Sequence, residues 1–182
     1  MTLYTIGHST RSAERFLELL RDAGIRCVWD VRTFPGSRRY PHFNAERLAE
    51  SLPASGIEYQ HHPELGGRRR PSPEGAPSAW RNEGFRGYAE YMTTGEFRDA
   101  VTHLMVTAEA TRVAIMCSEA VPWRCHRNLV SDAVVARGAE VLHILDGRVS
   151  AHVLTKFALV QNTEVRYPPP SELVQRELDL NR

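Results

Sequence analysis

Only three of the 182 residues are cysteine, Cys27, Cys117 and Cys125. An odd and small number excludes a disulfide framework and fits a reducing compartment, so a cytoplasmic location is expected. No apolar run approaches the roughly 18 residues that suggest a membrane span, and no membrane partner is expected. The opening "MTLYTIGHS" lacks the charged and apolar regions of a secretory signal. The chain also lacks an excess of either charge. Its 23 basic and 22 acidic side chains leave a formal charge of +1, too little for an overall field that would hold a nucleic acid or an anionic surface. Charge recognition must therefore be local. No internal repeat is present, and 42% hydrophobic residues suffice for one domain, 1–182, with its own core.

What is present alternates between two periods. "LYTI" and "RCVWDVR" read as buried strands, "IEYQHH" as a third, "RVAIMC" as a fourth and "EVLHIL" as a fifth. Between them, "SAERFLELLRDAG" has helical spacing, with Ser12 as its cap and Gly24 as its stop. "AERLAESL", "EGFRGYAEYMTT", "EFRDAVTHLMVTAEA" and "CHRNLVSDAVVARG" follow the same rule. Strands alternating with helices predict an α/β fold, a three-layer α/β/α sandwich with a mostly parallel, Rossmann-like sheet of about five strands. Residues 63–82 are rich in Pro and Gly without a period, which marks a flexible loop able to act as a cover. Residues 147–182 form a C-terminal extension, in which "AHVLTKFALV" reads as a helix and "EVRYPPPSE" as an extended exit.

In open parallel sheets, ligands bind at the carboxyl ends of the strands, near the reversal of strand order. The residues just after the expected strands are His8 and Ser9, Asp30 and Arg32, His61 and His62, and Cys117 to Glu119. Most of the chemically capable side chains thus fall on one rim. If the first and fourth strands are neighbours, His8 and Ser9 face Cys117 and Glu119. Asp30 and Arg32, two apart in a strand, point the same way, so Arg32 can offer a fork to an anion beside Asp30.

The densest stretch is "MCSEAVPWRCHRN", with two thiols, a carboxylate, an imidazole and two guanidinium groups in thirteen positions. Cys125, His126 and Arg127 fall where the helix after the fourth strand begins, a setting that favours anions and lowers thiol pKa values. Each residue also has a plainer reading. Cys117 can be strand filler, His8 a satisfied core histidine, and the arginines at 38, 39 and 68 to 70 a solvated cluster. The tryptophans read first as packing, although Trp123 can wall the crevice.

"YTIGHSTRS", "DVRTFPGSRRYPHFN", "YQHHPELGGR", "FRGYAEYM" and "MCSEAVPWRCHR" resemble, in order and spacing, the domain of unknown function 488 family over about residues 3–145. The resemblance implies a compact α/β domain and supplies no reaction.

Three functions are compatible with these residues. The first is a cysteine-dependent hydrolase or transferase acting on a small anionic or nucleotide-like molecule. Cys117 or Cys125 is its nucleophile, His8 or His126 its base, and Glu119 a further acid–base candidate. Ser9, Asp30, Arg32, Ser37, Arg38, His62 and Arg127 are the candidate substrate contacts. A phosphatase-type loop is disfavoured, because Cys117 precedes Arg124 by seven positions where that loop has six. The second function is zinc or iron binding by Cys117, Glu119, Cys125 and His126, with His8 as a further candidate ligand, although Cys-x7-Cys-His matches no standard zinc knuckle. The third is a nucleotide- or nucleic-acid-binding module without turnover, using Arg38, Arg39 and Arg68 to Arg70 on phosphates. The sequence names no cofactor and leaves the oligomeric state open.

Overall fold

Alternate residues of the first strand, β1 (Thr2–Gly7), enter two different cores: Leu3 packs on one face of the sheet and Ile6 on the other. The same division runs through β2 (Cys27–Asp30) and β4 (Val113–Cys117). Cys27, Trp29, Val113, Ile115 and Cys117 face one layer; Val28, Ala114 and Met116 face the opposite one. Strands apolar on both sides are those of a parallel sheet covered on both faces. The computed structural model describes residues 1–75 and 78–180, of which 176–180 by backbone alone.

With β3 (Glu58–His61), β5 (Glu140–Leu145) and β6 (Arg148–Ala151), these strands form a six-stranded sheet in the order β3-β2-β4-β1-β5-β6. All neighbours are parallel except β5 and β6, which make an antiparallel hairpin at Gly147, where φ is 77°. The sheet thus has the five expected strands and a sixth that the extension adds.

Helix α1 (Ala13–Asp22) starts where Ser12 accepts a hydrogen bond from the Arg15 backbone N–H, and Gly24 follows it at φ 65°. Both signals lie where the sequence puts them. Its Phe16, Leu19 and Leu20, with Leu48 of α2 (Ala45–Ser51), cover the face of Ile6 and Met116. Each such buried side chain is worth about 1.5–3 kcal/mol relative to exposure. Helices α3 (Glu83–Tyr91), α4 (Gly95–Ala110) and α5 (Arg127–Ala136) cover the other face. The chain leaves β1 through α1 toward β2 and leaves β4 through α5 toward β5. Strand order therefore reverses between β1 and β4, and a crevice opens at their carboxyl ends.

The loop expected over 63–82 has a short 3-10 turn, Pro63–Leu65, and no other regular element among its described residues; positions 76 and 77 lie outside them. Parts of it are tied down. Arg69 donates to the carbonyls of Glu64 and Gly66 and lies 3.5 Å from the Tyr91 ring centroid, while Ser72 N–H donates to Glu90.

The extension differs from its sequence reading. "AHVLTKFALV" is not helical: it ends β6 and enters β7 (Leu159–Gln161), which pairs with β8 (Glu164–Arg166). The reason is polar. His152 and Thr155 both bond to buried Asp132 of α5, which fixes this segment in an irregular path. "EVRYPPPSE" supplies β8 and then the start of α6 (Pro170–Leu180), Pro170 taking a first-turn position where its missing N–H costs nothing. Residues 181 and 182 lie outside the described residues.

Candidate functional site

The β1/β4 crevice is a cleft of about 770 Å³. At its edge, His8 N–H donates to the Cys117 carbonyl at 2.9 Å and Ser9 N–H to that of Ser118 at 3.0 Å, so the two strand ends are laced together. Gly7 makes this possible, because a Cβ there would collide with the Glu119 carbonyl.

The floor is sulfur and imidazole. The Sγ atoms of Cys117 and Cys125 lie 3.1 Å apart as free thiols, and the His126 Nδ1 is 3.6 Å from the Cys125 Sγ. All three ligating atoms fall within 4.8 Å of one another. His126 Nε2 is 3.1 Å from the Val31 carbonyl, a partner that can only accept; Nε2 therefore carries the hydrogen and Nδ1 presents its lone pair to the sulfurs. The position is local in origin. A 3-10 turn, Pro122–Arg124, carries the chain back from β4, and His126 caps α5 with Cys125 immediately before it. Gly67 permits the ring's placement from across the cleft, since a Cβ there would meet the imidazole.

The two thiols differ in acidity. Burial would raise the Cys125 pKa, but the bond to Cys117, the Arg127 charge and the Arg127 backbone N–H, 3.5 Å from Sγ, outweigh it and lower it to about 6. Cys117 keeps the shared proton and, buried as well, is pushed up to about 12. Cys27, at the far end of β2, is pushed up to about 12 by burial and then by Glu58, away from this cluster. Two thiols and an imidazole nitrogen facing a cleft are also a donor set for a thiophilic divalent ion, with an open side for a further ligand.

A family model described as "Domain of unknown function DUF488" matches residues 12–134. The chain belongs to this family. The DUF488 match contains the thiols, His126, Arg127 and Asp132, whereas His8 and Ser9 precede it and the extension follows it. No curated protein and no solved structure matches the chain.

His8 of this DUF488 protein lines the cleft, yet both its ring nitrogens are engaged. Nδ1 lies 3.0 Å from the Ser9 carbonyl and Nε2 lies 3.3 Å from Arg32 Nη1, while the ring stacks on Phe43. Burial, then the Arg32 charge, lowers its pKa to about 4. Arg32 in turn is held by the Asp30 carboxylate, from Nε at 2.8 Å and Nη2 at 2.5 Å, and by the Phe43 carbonyl. Tyr59 donates its hydroxyl to the same carboxylate. The fork expected to be open to an anion thus serves Asp30, and Nη1 faces His8.

Ser9, Ser37, Ser118 and Glu119 also line the cleft. Arg38 is exposed and does not; its neighbour Arg39 does, with Arg68 and Arg124. His62 lies outside it, stacked 3.4 Å from the Trp29 ring and bonded to Glu64 and Gln60. Trp123 is 57% exposed and does not wall the crevice. Arg127 is buried beneath the floor, where Nη2 donates to the Glu119 carbonyl and Nη1 to Thr5 Oγ1 at 3.3 Å.

Beyond Arg127 runs a buried polar chain that the sequence did not reveal. Thr5 Oγ1 is 2.8 Å from His143 Nδ1, His143 Nε2 3.0 Å from His152 Nδ1, and His152 Nε2 2.8 Å from Asp132 Oδ1. Asp132 also accepts from Thr155 and from the Tyr167 hydroxyl. With a charged guanidinium at one end and a carboxylate at the other, every hydrogen along the chain can point toward Asp132. Burial, with His152 and Arg127 nearby, lowers the His143 pKa to about 3. The extension thereby anchors the helix that carries the thiol site. Its only sequence signal is a set of lone histidines in separate elements.

Proposed function

We propose that this DUF488 protein is a cysteine-dependent hydrolase or transferase acting on an anionic, nucleotide-like small molecule. The observation that carries the reading is the meeting of Cys125 Sγ, Cys117 Sγ and His126 Nδ1 at the floor of an arginine-edged cleft. Cys125 is the nucleophile, because its thiolate is favoured by the Cys117 hydrogen bond and the Arg127 charge. His126 Nδ1 accepts the Cys125 proton. The sulfur lone pair then forms a bond to an electrophilic carbon of the substrate, and the bond to the leaving group breaks with its electron pair on the departing atom. That atom takes the proton back from His126. Water, or an acceptor nucleophile, gives a proton to His126, attacks the same carbon and releases the sulfur as thiolate. His8 is a poor base here, being neutral with both nitrogens engaged. Brief treatment with iodoacetamide at pH 6.5 is expected to modify Cys125 and spare Cys27 and Cys117. Equal, slow labelling of native and unfolded protein overturns the reading.

A second reading rests on the same three atoms as ligands. The Val31 carbonyl fixes His126 in the tautomer that offers Nδ1, which is the second partner a metal-bound histidine uses. Zinc or iron held there would leave a coordination position toward the cleft and act as a Lewis acid. Glu119, exposed and outside the three-atom group, is not among these ligands. Elemental analysis decides: near one equivalent of a transition metal supports this reading, and less than about a tenth of an equivalent ends it.

A further inference from the structure

The thiol cleft does not end at its own rim. A second cleft, also about 770 Å³, adjoins it and shares Gly67, Arg68 and Gly84 as common walls. Together they are bordered by Arg32, Arg39, Arg68, Arg69, Arg70 and Arg124, against two acidic residues, Glu119 and Glu83. Two of the six guanidinium groups are hydrogen-bonded within the protein, Arg32 to Asp30 and Arg69 to backbone carbonyls, and Arg69 also lies over the Tyr91 ring, as Arg39 lies 5.4 Å from the Tyr40 ring centroid. Arg39, Arg68, Arg70 and Arg124 are exposed and have no carboxylate partner among the described residues. A chain of net charge +1 thus concentrates unpaired cations along one channel.

Aromatic surface accompanies the charge. Phe34 is 68% exposed, the Arg68 guanidinium lies 5.3 Å from its ring centroid, and Phe85 lines the same cleft. An exposed phenyl ring beside arginines without carboxylate partners gives nothing to a compact inorganic anion. It suits a ligand that alternates flat rings with phosphates. Joined clefts of this volume each match the size of a site for one drug-sized ligand, so the occupant extends beyond a single nucleotide.

We propose that the channel binds a short segment of single-stranded nucleic acid. One nucleotide sits over Cys117 and Cys125, and its neighbours' phosphates run past Arg68 to Arg70. Unpaired bases are needed because stacking on Phe34 requires a free ring face, which a duplex does not offer. The inference names the substrate class of the site proposed above and rests on that reading for the part played by the thiols; the binding itself does not depend on it.

The test is fluorescence anisotropy of labelled dT10 and rU10 with the full chain between 50 and 200 mM salt. Four phosphate contacts predict a slope of log K against log salt of roughly −3, at about −0.7 per contact on a single strand. Replacing two, in Arg68→Ala/Arg70→Ala, is expected to weaken binding about tenfold at 50 mM salt and to halve that slope. Both side chains are exposed, and circular dichroism checks that the variant is folded. The wild-type slope is a readout that needs no variant. No binding at 50 mM salt, a slope near zero, unchanged binding by the variant, or a duplex decamer bound as tightly as the single strand each overturns the proposal. Displacement by inorganic phosphate at the oligonucleotide's own concentration does so too. Iodoacetamide labelling separates the two readings. Selective Cys125 labelling without oligonucleotide binding leaves the thiolate reading standing and removes this one, and binding without selective labelling does the reverse.

Discussion

Varying pH while alkylating Cys125 probes the electrostatics of the cleft floor directly. The thiol lies at about 6 in the fold, against 9.0 when unperturbed. At pH 6 about half of it is thiolate, whereas roughly 0.1% of an unperturbed cysteine is. Lower basicity also makes each thiolate a weaker nucleophile. With a Brønsted slope of about 0.45, the difference costs roughly 20-fold. The product is a folded protein reacting about 20-fold faster than the unfolded chain at pH 6, about fourfold faster at pH 7 and about tenfold slower at pH 9. The two profiles cross at about pH 7.7. Burial of Sγ lowers the whole folded curve without moving its midpoint, so the midpoint is the quantity to read. The assay is timed iodoacetamide quenching of chelator-treated protein, native and in urea, with the Cys125 peptide quantified by mass spectrometry. A folded midpoint near 6 is expected. A midpoint between 8 and 9, the same as that of the unfolded chain, refutes the reasoning.

Three further outcomes follow from the buried groups. His8 and His143 have folded pKa values of about 4 and about 3, both below the usual 6.5, so their contribution to stability is complete above pH 6.5 and lost as pH falls through the folded values. Urea melts between pH 6 and 4.5 should show stability falling by up to about 2.7 kcal/mol per pH unit from these two protons, and a flat profile contradicts the neutral assignment. Asp132→Ala leaves the donors of His152, Thr155 and Tyr167 without their buried acceptor, and denaturant unfolding should show a loss of at least about 3 kcal/mol, at roughly 1–3 kcal/mol for each unsatisfied buried donor; a loss under about 1 kcal/mol would mean that the chain of bonds is not formed. Gly67→Ala pushes the His126 ring from its place, so the native fold should persist by circular dichroism while Cys125 labelling slows several-fold; unchanged labelling would remove His126 from the thiol's surroundings.

The layered fold is legible in the sequence because its period is strong: strands apolar on both faces alternate with helices such as α1, whose Ser12 and Gly24 signals mark both ends. The rim is legible through one topological rule, since the residue after each parallel strand must lie at the sheet's carboxyl edge. That rule fails in two ways. It places His62 near the cleft, as the expected helix start places Arg127, without saying which way either points, and packing on Trp29 takes one out while burial beneath the floor takes the other. It also cannot tell an open guanidinium from an engaged one: Arg32 is at the rim as expected, but its nearest anion is Asp30 of its own strand. The extension is illegible for a different reason. "AHVLTKFALV" carries an apolar pattern compatible with a helix, and a long-range bond to Asp132, absent from any local window, decides against it.

The central claim is that Cys117 and Cys125 share one reactive hollow, and bridging by a trivalent phenylarsenical tests it most directly. With Sγ atoms 3.1 Å apart, one arsenic per chain is expected, joining the Cys117 and Cys125 peptides in the native protein and leaving Cys27 free. Native protein that takes up no bridged arsenic, or that bridges either site cysteine to Cys27, contradicts the account.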